Sequence, residues 1–86
     1  MLYSNTIDYF TAVIRKYFPG SIPVMAKGPE TRCKDPNNFL WMMGQISQMS
    51  DREKAARWIG YVACGLECLG AITNDESRDI MRSDAK

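Results

Sequence analysis

The sequence predicts an all-α fold: a small four-helix domain with one long Pro/Gly-punctuated loop between helices 1 and 2. Three observations predict it. Apolar residues recur at steps of three and four through four separate stretches. Those stretches open on capping residues, and the first and third close on Pro19-Gly20 and Gly70. The chain has 86 residues, 45% apolar and 24% charged, which is enough for one folded domain and excludes two. A chain of this size buries only about 60–65% of its unfolded surface, so the core is thin and residues 1–86 form a single helical domain.

The first helix is expected over about residues 6–18. Tyr3, Ile7, Phe10, Ile14 and Tyr17 fall on one face, and Val13 widens it. Asn5 or Thr6 is placed to cap it, Asp8 to meet the positive end of its dipole, and Pro19-Gly20 to end it. Periodicity then stops over the loop at 19–35, which Pro19, Gly20, Pro23, Gly28 and Pro29 interrupt. An edge strand over Ile22 to Met25 is weakened by Pro23.

Asp35-Pro36 restarts order, because Asp is a strong N-cap and Pro is favoured at the first helical position. The second helix is expected over 36–49. Phe39, Met42, Met43, Ile46 and Met49 form its buried stripe, Trp41 lies at the edge, and Asn37, Asn38, Gln45 and Gln48 face away or toward a partner. Ser50-Asp51-Arg52-Glu53 has the spacing of a capping box and opens a third helix, 51–69, with Ala55, Trp58, Ile59, Val62, Leu66 and Leu69 on one face and Gly70 as its stop. This longest element is expected to be central, packed by helices one and two. A second capping box, Thr73 to Glu76, opens a short helix over 74–82 with Ile80 and Met81 inward and a fraying tail from Ser83 to Lys86.

Function classes narrow by what the residues supply. There is no His, so the commonest general base and metal ligand are missing. No glycine-rich phosphate loop, paired carboxylates in an apolar setting, or nucleophile beside a base is present, so no catalytic residue, cofactor or metal is expected and the protein reads as a non-enzyme. Cys64 and Cys68 lie four apart on one helix, yet zinc wants about four ligands, so Cys33 would have to return from the loop together with a carboxylate such as Glu67. Asp75, Glu76 and Asp79 are explained by their place at a helix start. Three cysteines and the lack of a basic-then-apolar leader point to a reducing cytoplasm. The most apolar run, Trp58 to Ile72, is 15 residues long and contains Glu67, which suits a core helix and not a membrane span.

Two surfaces remain as binding candidates. Residues 9–34 carry Arg15, Lys16, Lys27, Arg32 and Lys34 against Glu30 alone, and with Trp41 they form the expected partner-binding set. A net charge of +1 excludes holding nucleic acid by bulk charge, though the same cations would serve a phosphate-contacting surface. Ala56, Gly60, Cys64 and Cys68 recur at steps of four and outline a groove of small side chains expected to receive a helix, from this chain or from a second copy in a homodimer. A high Met content suits contact with varied partners, and Arg57, Trp58 and Tyr61 join Trp41 as large residues of the type that anchors interfaces, although Trp58 also fits the core stripe. The spacing of Ala56 and Gly60 lies inside a helix, so no helix-turn-helix is read there.

The block from Asp51 to Arg82, with Arg-Glu-Lys-Ala-Ala-Arg-Trp-Ile-Gly-Tyr-Val at 52–62 and Leu-Gly-Ala-Ile-Thr-Asn-Asp-Glu-Ser-Arg-Asp-Ile at 69–80, resembles the C-terminal half of short proteins from temperate-phage and prophage early regions. The resemblance implies a small non-catalytic protein that binds a host protein, such as an inhibitor of defence or nucleic-acid-processing machinery. It assigns no functional residues. The expected function is therefore protein binding, with nucleic-acid binding through residues 15–34 and a homodimeric adaptor role as alternatives.

Overall fold

A computed structural model describes residues 2–28 and 32–85. Among these the fold is all-α, with α1 at Ser4–Tyr17, α2 at Pro36–Ile46, α3 at Arg52–Cys68 and α4 at Asn74–Ser83. Pro29, Glu30 and Thr31 of the expected loop, with Met1 and Lys86, lie outside the described residues.

The starts of α2 and α4 follow local chemistry. Asp35 accepts the Asn37 amide ahead of Pro36. Thr73 Oγ1 accepts the Glu76 amide at 3.1 Å while Glu76 Oε1 accepts the Thr73 amide at 3.0 Å, a complete capping box. At α3 the cap is Asp51 and not Ser50: its carboxylate accepts the amides of Glu53 and Lys54, doing alone what the Ser50–Glu53 box was expected to share. Gly70 closes α3 with φ +75°, a left-handed conformation that lets the Ala71 amide reach back to the Leu66 carbonyl. α2 ends at Ile46, short of Met49, because the amides of Gln48 and Met49 bond three residues back and Ser47 Oγ bonds the Gly44 carbonyl, tightening the chain out of α geometry.

α1 begins two residues earlier than its side chains suggest, and neither Asn5 nor Thr6 caps it. Tyr3 occupies the N-cap position with φ 57° and offers no side-chain bond. The cap arrives from the far end of the chain. Asp84 accepts the Thr6 amide and the Thr6 hydroxyl, each at 2.6 Å, and the Asn5 amide at 3.3 Å. The tail expected to fray is thus held at Asp84 to the start of α1, and Asp8 falls beyond the first turn.

Phe10, Ile14, Phe39, Ile46, Ile59, Val62 and Leu66 are fully buried and form the centre of the core. α1 packs against α2 and α4, and α2 packs against α3. α3 also reaches the start of α1, where Arg52 lies 5.3 Å from the Tyr3 ring, and it contributes Ala55, Ile59, Val62 and Leu66 to the fully buried core. The close approach of α2 to α3 runs through Gly65. A Cβ there would collide with the Phe39 ring and lie 2.8 Å from the Cys33 carbonyl. No described helix is long and apolar enough to cross a membrane.

A candidate partner-binding cleft between the loop, α2 and α3

The loop is shaped by the two asparagines at the start of α2. Asn37 Oδ1 accepts the Ile22 amide and the Asn37 carbonyl accepts the Val24 amide. Asn38, only 2% exposed, accepts the Ala26 amide at 3.0 Å and donates through Nδ2 to the Arg32 carbonyl at 3.2 Å and to Met42 Sδ. One buried amide thus ties both limbs of the loop to the helix. These two residues, expected to face away or toward a partner, hold the backbone of the loop, and Asn38 satisfies groups that are partly buried. No strand forms over Ile22 to Met25 among the described residues, and the side chains of Ile22, Val24 and Met25 are exposed.

With the loop held there, a cleft of about 780 Å³ opens between it, α2 and α3. Its floor is largely apolar and includes Met25, Met42, Trp41 and Trp58. The two indoles, 17 positions apart in sequence, lie with ring centroids 5.9 Å apart and a 33° tilt. They are the only tryptophans of the chain. Lys27 and Arg32 line the cleft from the loop and Arg57 lines it from α3, where Tyr61 also borders it. Lys54 Nζ lies 5.7 Å from the Trp58 ring centroid at the same end. No carboxylate is among the described lining residues. The one ion pair among the described residues, Arg82 with Asp79, is on α4. Burial raises the Tyr61 pKa, the nearby Cys33 thiol adds to the rise, and Arg32 opposes it.

Of the expected partner-binding set, Lys27, Arg32 and Trp41 come together in this cleft. Arg15 and Lys16 do not, because α1 carries them to its own last turn. There Lys16 lies 5.2 Å from the Tyr17 ring and borders a separate recess of about 240 Å³ with Tyr9 and Glu76. Lys34 is exposed in the turn before α2 and does not line the cleft. Met25, Arg57, Trp58 and Tyr61 complete the site. A signal for Trp58 and Arg57 existed in their adjacency on one helix, but nothing in sequence spacing shows that α3 turns them toward the loop.

The row Ala56, Gly60, Cys64 and Cys68 receives no helix of this chain. A Cβ built on Gly60 meets nothing within 4 Å, and both cysteines are exposed. The small residue that admits a neighbour is Gly65, one position away from that row, because α2 approaches α3 on its other side. Cys64 is pushed above the ordinary thiol pKa by the negative charge that a Cys68 thiolate would place beside it and by its hydrogen bond with Cys68. Among the described residues no group of three or more Cys, Asp or Glu is arranged to hold a metal ion.

Comparison with family models, with curated proteins and with solved structures returns no match.

Proposed function

We propose that this chain is a non-catalytic protein-binding module whose contact surface is the Trp41–Trp58 cleft. The observation that carries the reading is the joining of two partly buried indoles and two methionines to three cations that no described carboxylate neutralises. Aromatic residues, Met and Arg are the side chains enriched at interface centres. Ile22 and Val24 on the loop that carries Met25 are also exposed, and exposed apolar groups gathered on a small domain mark contact sites. The resemblance of residues 51–82 to phage early-region proteins is what suggests a host protein, modulated by binding, as the partner.

Single-stranded nucleic acid is a competing occupant, since rings can stack bases and cations can hold phosphates. Its support is reduced by the division of the basic segment: Arg15 and Lys16 sit on α1, and Lys34 lies outside the cleft. The test is a pull-down from nuclease-treated bacterial lysate with wild-type protein, Arg57→Glu and Lys34→Ser. A partner retained by wild type and Lys34→Ser and lost with Arg57→Glu is the expected result. Retention by all three would move the contact surface elsewhere.

A further inference from the structure

The chemistry of the cleft goes further than its being a contact surface. Resting on that reading, we infer that its occupant is an acidic segment of a protein partner, seated by one bulky apolar side chain on the Met and Trp floor. Its flanking carboxylates meet Lys27, Arg32 and Arg57.

Charge is the first argument. The three cations come from two elements, the loop and α3, and converge on one apolar floor. None has a carboxylate within ion-pair distance among the described residues. Five of the described acids are engaged elsewhere: Asp35, Asp51, Thr73-bound Glu76 and Asp84 hold helix N-termini, and Asp79 pairs with Arg82. Like charges gathered over apolar surface repel one another, and an anion supplied from outside relieves that repulsion. Guanidinium groups suit this task because they pair with carboxylates through two parallel hydrogen bonds.

The floor argues for peptide over nucleic acid. Trp41 and Trp58 are packed against each other, so each ring covers part of its neighbour's surface and no slot for a base lies between them. Met25 and Met42 beside them are flexible thioethers that mould to aliphatic or aromatic side chains. Ile22 and Val24 of the loop are exposed apolar side chains, which match an apolar protein face better than a sugar–phosphate backbone. The volume of about 780 Å³ accommodates an anchoring side chain with adjoining backbone.

Asn38 is the positioning residue. Its side-chain amide holds Ala26 beside Lys27 and the carbonyl of Arg32, so it sets where both loop cations stand before the partner arrives.

The experiment is selection of a displayed library of short random peptides on the wild-type protein, followed by titration of the enriched peptides and of oligothymidine. Intrinsic fluorescence is the readout, because both tryptophans of the chain line the cleft. The expected peptides carry several Asp or Glu around a Trp, Phe, Leu or Ile. Their affinity should fall roughly tenfold or more with Arg57→Glu or Lys27→Glu, and also as salt rises. Asn38→Ala should weaken binding while leaving its salt dependence in place. Enriched peptides without net negative charge, whose binding is nonetheless lost with Trp58→Ala, would overturn the acidic assignment and leave the cleft reading standing. Peptides indifferent to every cleft substitution, or oligothymidine binding more tightly than any peptide, would overturn both.

Discussion

Asp84 joins the two ends of the molecule through three hydrogen bonds to Asn5 and Thr6, and this one carboxylate decides whether α1 has a cap. Burial alone would raise its pKa, but the bonds from Thr6 and Asn5, with Arg52 nearby, outweigh that and hold the carboxyl below its ordinary value. The depressed pKa stabilises the fold above the unfolded-state value of about 3.9, and the contribution is lost as pH falls through the folded-state pKa. Asp84→Ala should therefore cost about 1–2 kcal/mol at neutral pH, in the upper range for a lost N-cap, which thermal unfolding would show as a fall in Tm. In the same scans at acid pH the difference between wild type and variant should shrink; a constant difference would mean that packing, and not the carboxylate, explains the loss. Two glycines of α3 make an opposed pair. Gly60→Ala should stabilise by about 0.5–1 kcal/mol, since its Cβ enters open space and Ala favours the helix. Gly65→Ala should destabilise by about 1–3 kcal/mol, since the new methyl meets Phe39 and the Cys33 carbonyl. Chemical denaturation of both variants checks the signs.

At the scale of elements, the helices that start on their own neighbouring residues were readable from the sequence, and contacts from afar were not. Asp35-Pro36 and Thr73 through Glu76 carry their caps within four residues, so residue order alone reveals them. The Asp84 cap spans 78 positions to Thr6 and leaves no local trace. The groove shows the same division. Helical spacing places Ala56, Gly60, Cys64 and Cys68 in a row, yet only the position of α2 determines that Gly65 is the close contact. Loop 19–35 was legible as a break in periodicity, while its path depends on Asn37 and Asn38, whose amides look like ordinary surface groups in the sequence. Removing Asn38 tests this directly. Asn38→Leu leaves the Ala26 amide and Arg32 carbonyl without their partner, at a cost of about 1–3 kcal/mol. Faster hydrogen exchange at Ala26 and quicker proteolysis in the loop should follow, with α4 protected as before; unchanged exchange at Ala26 would show that the loop holds its path without Asn38.

At the scale of the whole molecule two jobs are separated: Asp84 ties the end of α4 to the start of α1, and the loop lies with α2 and α3 around the cleft. The small core of a chain of 86 residues leaves the tryptophans only partly covered, so burying them against a partner adds apolar contact that the domain alone lacks. Three of the five expected cations lie apart from the cleft, Arg15 and Lys16 on the last turn of α1 and Lys34 in the turn before α2, a geometry that charge counting along the sequence does not contain. The most direct test of the cleft as the binding surface is the amide and indole NMR spectrum of labelled protein with and without a captured partner. The two indole N–H signals both report on the cleft, and the Gly60 amide reports on the open small-residue row. Both indole signals should shift or broaden on binding while Gly60 stays in place. Unmoved indoles with a displaced Gly60 signal would contradict the account and assign the interface to the Ala56–Cys68 face of α3.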